Sequence, residues 1–111
     1  MNAFEFSKYA IEECSGCDFI REIEILLLDE PVVKIKAIIR EDIFVSIFYN
    51  AETEKYSFAL IKGHRRIFGA DNTRVWHMHP FENPDSHIET TSVSLSSFLK
   101  TLKPDIDKWL I

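Results

Sequence analysis

The chain has 111 residues with a hydrophobic fraction of 46%, enough for one packed domain spanning 1–111 and too little for two. No apolar run approaches the roughly 20 residues that cross a bilayer, and the N-terminus carries acids where a secretory signal would carry basic residues, which points to a cytoplasmic protein with no membrane attachment. A net charge of −5 argues against a surface that holds nucleic acid along its whole length.

Between Asn2 and Cys14 the apolar residues Phe6, Tyr9, Ala10 and Ile11 recur at helical spacing, with Gly16 as the stop. The Cys14-Ser15-Gly16-Cys17 pair that follows reads as the end of that helix. A redox pair would instead open a helix in a βαβ unit, and a zinc site would need two further ligands. The period then changes to two. Ile23, Ile25 and Leu27 alternate with Glu22 and Glu24, Asp29-Glu30-Pro31 turns the chain, and Val33, Ile35, Ala37 and Ile39 alternate with Lys34, Lys36 and Arg40. Pairing these strands as a hairpin sets the Glu face against the Lys face, at roughly 0.2–1 kcal/mol per cross-strand pair.

Further strands are predicted from Ile43 to Tyr49, from Tyr56 to Ile61 and from Arg66 to Ala70, with a turn at Lys62-Gly63-His64-Arg65 and a short sixth strand from Val75 to His79. Tyr49 and Tyr56 face each other as a packing pair. Leu95, Phe98, Leu99 and Leu102 restore the helical period behind Ser94 as N-cap, and Pro104 breaks or restarts that helix before a last apolar turn of Ile106, Trp109 and Leu110. Short connections favour antiparallel neighbours. The expected fold is therefore α+β: one antiparallel meander of five or six strands, with an N-terminal and a C-terminal helix packed on one face.

The chemistry gathers between Asp71 and His87. From Lys62 to His79 the cations Lys62, Arg65, Arg66 and Arg74 face the single acid Asp71, with His64, His77 and His79 beside them. In an acidic chain this suggests one local site for an anionic ligand. If Val75 to His79 is extended, His77 and His79 leave one face roughly 7 Å apart, while Trp76 and Met78 anchor in the core. Three kinds of work fit this pattern. His77 and His79 with His87 (or an acid such as Asp85 or Glu89) could hold a metal ion such as Zn. Without a metal, His77 and His79 could exchange protons with an RNA phosphodiester while Arg74 or Arg66 holds the phosphate. In the third case the histidines are structural. Asp71 and Asn72 suit a turn after a strand, and Asp71 is also placed to orient an imidazole.

Two resemblances bear on these alternatives. His77-x-His79-Pro80 followed by Ser86 and Glu89 looks like the HxHP, serine and acid of the JAMM zinc hydrolases, with a spacing one residue shorter and Glu for the final Asp. The second covers more of the chain, from about Lys55 to Leu102. Tyr56-Ser57-Phe58, a turn, Arg66-Ile67-Phe68-Gly69-Ala70-Asp71-Asn72, a His-rich loop and the helix opening Ser94-Leu95-Ser96-Ser97-Phe98-Leu99 resemble the TumE family, small prokaryotic toxins of toxin–antitoxin pairs. That resemblance implies Asp71, Asn72, His77, His79 and His87 as functional positions and an antitoxin-like protein as partner. The leading expectation is a toxin-like protein that cleaves RNA by histidine acid–base chemistry without a bound cofactor. Its rivals are a metal-dependent hydrolase or metal-binding module using His77, His79 and His87, and a non-catalytic interaction domain.

Overall fold

Residues whose apolar side chains alternate become strands, and in the computed structural model, which describes residues 1–109 apart from the Trp109 side chain, they join into one sheet. Helix α1 (Ala3–Ser15) leads into β1 (Glu22–Asp29), β2 (Val32–Arg40), β3 (Ile43–Asn50), β4 (Lys55–Lys62) and β5 (Arg65–Asp71). Short strands β6 (His77–His79) and β7 (Ile88–Glu89) follow, and α2 (Leu95–Trp109) closes the chain. The strands lie side by side in chain order, all antiparallel, as a seven-stranded meander. The strand beyond the expected six is β7, whose two residues are too few to carry a period. No helix among the described residues is long and apolar enough to cross a membrane.

Both helices cover the same face. Val33, Ile35, Ala37 and Ile39 of β2, Val45, Ile47 and Tyr49 of β3, Phe58 and Leu60 of β4, and Phe68 and Ala70 of β5 stand on that face and are buried. Phe6 of α1 stacks on Tyr49 with ring centroids 4.5 Å apart, and Phe98 of α2 meets Phe58 at 5.6 Å and Phe68 at 5.4 Å. Tyr49 and Tyr56 are register partners with rings 4.8 Å apart, as their sequence positions suggested. Asn2 caps α1 in a capping box. The Glu30 carboxylate also accepts the Ala3 and Phe4 amides at 3.1 and 2.9 Å, which binds the β1–β2 turn to the positive end of the helix.

Two expectations change. Pro104 does not break α2, which runs through it from Leu95 to Trp109. Losing one backbone bond costs about 3 kcal/mol, but burial of Leu99 and Leu102 before the proline and Ile106 after it keeps the axis continuous. Lys100, whose carbonyl loses its donor, lies on the exposed side within reach of water. The Trp109 side chain and Leu110 lie outside the described residues. In the first hairpin Glu24 does face Lys36, but Glu22 faces Ile38, and a bulge between Ile25 and Leu27 sets Leu27 opposite Lys34. The charge match is therefore one pair deep. Cys14 is buried at the end of α1, and burial, with Cys17 and Glu13 nearby, pushes its thiol up to about 12. The thiol is thus a packing group.

Candidate metal centre

The other face of the sheet carries no helix among the described residues, and the register places the chemistry there. Asp71 pairs with His77 and Gly69 with His79, while Ala70 and Met78 point to the core between them. Trp76 and Met78 pack against the core, Trp76 stacking on Tyr56 at 5.9 Å, so that β6 is held from beneath. This is the same-face arrangement expected from HxH on a strand. The two rings lie closer than strand geometry alone suggests, with centroids 4.9 Å apart, because both turn toward Asp71.

The Asp71 carboxylate has two distinct oxygens. Oδ1 accepts the Thr73 amide at 3.0 Å, the turn chemistry expected of this position. Oδ2 faces His77 Nε2 at 3.2 Å and His79 Nε2 at 3.4 Å. Each imidazole is fixed from behind as well: His77 Nδ1 donates to the Val75 carbonyl at 3.0 Å and His79 Nδ1 to the Pro84 carbonyl at 3.1 Å. A carbonyl only accepts, so both Nδ1 atoms carry the proton. When both rings are neutral, they point two Nε2 lone pairs at a carboxylate oxygen. In that state four nitrogen–oxygen contacts share two protons, and the centre of the cluster lacks positive charge.

Protonation of His79 is a poor remedy. The residue is 3% exposed, and burial, followed by the nearby Arg66 charge, holds its pKa below the ordinary histidine value, although Asp71 and Pro84 pull the other way. A divalent cation supplies the missing charge without a proton. Ligands at about 2.0–2.1 Å around a tetrahedral zinc stand about 3.3 Å apart, close to the observed 3.2 and 3.4 Å. All three ligand atoms lie within 4.8 Å of one another. The backbone carbonyls behind the rings orient them as outer-shell groups do in metal sites.

His87 lies beside this group. Extending the β6–β7 register sets it opposite His79, and its exposed ring lies parallel to His77 at 4.9 Å and edge-on to His79 at 4.7 Å. The third member of the converging set is therefore Asp71, with His87 at the mouth. Glu89 pairs with His77 in register and is exposed. Arg66 reaches back along the strand over Gly69, where a Cβ would meet its Cδ at 3.0 Å, and donates to the Pro84 carbonyl at 3.3 Å. It shares that acceptor with His79, so one guanidinium stands next to the cluster.

Other expected residues serve elsewhere. Asn72 uses both ends of its amide, accepting from the Tyr56 amide at 2.8 Å and donating to the Glu54 carbonyl at 2.8 Å, which clamps β5 to the end of β4. Arg74 sits exposed in the β5–β6 turn with φ 68°. The basic segment is also divided. Gly63 and His64 form the β4–β5 turn with φ 53° and 71°, and six residues of rise, about 20 Å, separate Arg65 from Asp71. Pro84 had no side-chain signal to reveal it, since its contribution is a backbone oxygen.

Acid should weaken the metal-free fold through His79. Its folded pKa is below the unfolded one, so this contribution is fully present above the ordinary histidine range and is lost as pH falls through it. Burial works to raise the Asp71 pKa, but the Thr73 bonds and, where they carry a proton, the two imidazoles hold it below the usual aspartate value, a second loss that begins only in stronger acid. Urea midpoints of chelator-treated protein are expected to fall between about pH 7 and pH 5, and to fall less in His79→Gln.

No model of a known family, no curated protein and no solved structure matches this chain.

Proposed function

We propose that the protein is a metal-dependent phosphodiester hydrolase with RNA as its substrate class. The observation that carries this reading is the convergence of His77 Nε2, His79 Nε2 and Asp71 Oδ2, with both Nδ1 protons committed to backbone carbonyls. In a metal-free relay at least one Nε2 would face the substrate. Here both face a carboxylate, which favours zinc or a similar ion over the acid–base pair expected from sequence. Such an ion, held by Asp71, His77 and His79, would supply Lewis-acid polarisation of a phosphoryl oxygen. Arg66 binds a second phosphate oxygen through its planar fork. His87, exposed at the mouth, is placed to relay a proton as water adds to phosphorus and the P–O bond to the leaving oxygen breaks, the proton lost by the water balancing the one that oxygen gains.

The open face supports a polynucleotide. One register row runs Lys34, Phe48, Ser57, Asp71, His77 across the sheet, and the next runs Lys36, Ser46, Ala59, Gly69, His79. Small side chains leave a shallow floor between the lysines and the cluster, and half-buried Phe48 offers a ring on which a base can stack. The resemblance over Lys55 to Leu102 adds the setting of a cytoplasmic toxin neutralised by an antitoxin-like protein.

The test is zinc content after dialysis, together with cleavage of a mixed RNA substrate with and without EDTA. Wild type is expected to hold one equivalent of zinc and to lose cleavage in EDTA, with recovery on zinc addition. His77→Ala/His79→Ala is expected to lose both. Cleavage that survives EDTA would return the site to metal-free acid–base chemistry, and no cleavage in any condition would favour a binding module.

A further inference from the structure

The first strand has the sequence of a covered strand and the position of an uncovered one. Ile25, Leu26, Leu27 and Leu28 follow one another without a polar residue, a pattern that belongs to strands buried on both faces. Yet β1 is the outer strand of the sheet, with β2 on one side and, among the described residues, no strand on the other. Leu26 is 59% exposed and the other three 40–47%. These are half of the exposed large hydrophobic residues described. At the opposite edge the sheet ends in β7, only two residues long. A long apolar edge invites strand addition, and proteins that remain monomeric usually blunt it.

The charges on β1 select the occupant. Every ionised side chain from Glu22 to Glu30 is acidic. In an antiparallel self-pairing that stacks Ile25 to Leu28 on their own copies, successive registers set Glu22 opposite Asp29, Glu22 opposite Glu30, Glu24 opposite Asp29 or Glu24 opposite Glu30, and the first of these alone adds an opposite-charge pair, Arg21 with Glu30, whose carboxylate is already held by the Ala3 and Phe4 amides. Like charges directly across a strand pair are destabilising. A second copy is thus disfavoured, and the complementary strand is apolar in the middle with basic ends.

We propose that β1 is a docking edge for an extended segment of a different protein, apolar at its centre and flanked by Lys or Arg, which adds as an eighth strand. Backbone bonds along the edge supply affinity, and the flanking charges fix register. Five strand spacings, about 24 Å, separate β1 from β6, so the segment docks without touching Asp71, His77 or His79. The inference is independent of the proposed hydrolase chemistry.

A fluorescent peptide of alternating valine and threonine flanked by lysines, titrated against the full chain, tests it. Saturable binding is expected, with slowed amide exchange in β1, at least about tenfold weaker binding to Leu26→Ser/Leu28→Ser, and none for the peptide with glutamates in place of lysines. Binding should be unchanged in His77→Ala/His79→Ala, which separates this result from failure of the hydrolase reading. The proposal is overturned by absence of binding, by equal binding of both peptides, or by a wild-type dimer that the double serine variant dissociates.

Discussion

Asp71→Asn is expected to lower zinc affinity by more than about 100-fold and to remove cleavage, while leaving the metal-free fold as stable as wild type or more so. Loss of an outer-shell partner alone typically costs about 10–100-fold in metal affinity, and this change removes a ligand. The amide oxygen can still accept the Thr73 amide, now at 3.0 Å from Oδ1. The new –NH2 takes the place of Oδ2, 3.2 and 3.4 Å from the two Nε2 atoms, and donates to a lone pair that had faced a carboxylate. It therefore relieves without metal the proton shortage that makes the wild-type cluster attract a cation. Competition against a chromophoric chelator measures the affinity, and a thermal melt in EDTA measures the fold. Unaltered zinc binding would exclude Asp71 as a ligand. A large drop in the EDTA melting temperature would recast the cluster as structural.

What the sequence could reveal of this centre follows from how far each contact reaches along the chain. His77 and His79 share a face because strand side chains alternate, a rule that needs no tertiary information. The same rule located β2 to β5 and put Trp76 and Met78 in the core. Convergence of Asp71 on both rings was not available in that way. It depends on pairing Asp71 with His77 across a turn, and on Val75 and Pro84 carbonyls that have no residue-specific signature. Arg66 illustrates the same limit. Its sequence neighbours lie toward the distant β4–β5 turn, and Gly69, where a Cβ would press on the Arg66 Cδ, leaves room for it to lie back toward His79. In β1 the alternation through Ile23, Ile25 and Leu27 concealed a bulge, because an extra residue within an all-apolar run leaves no break in the pattern.

Phe58→Ala tests whether the core holds the centre in place as well as the fold together. Phe58 is buried under α2, with its ring 5.6 Å from Phe98 and 6.5 Å from Trp76. Truncation of such a side chain costs about 3–5 kcal/mol, a large part of the roughly 5–15 kcal/mol that holds a domain folded. Urea unfolding of the metal-free protein should show this loss directly. Ile39→Ala, buried in β2 far across the sheet, should cost about 2–5 kcal/mol by the same mechanism. The two variants are expected to differ at the site. β6 has three residues and depends on Trp76 and Met78 packing beneath it, so a cavity beside Trp76 lets His77 and His79 shift relative to Asp71. Zinc affinity of the folded fraction should therefore fall in Phe58→Ala and remain at the wild-type value in Ile39→Ala. Equal affinities in both would mean that the β5–β6 register alone holds the ligands. A selective loss in Phe58→Ala would show that the aromatic layer positions a centre on the opposite face of the sheet.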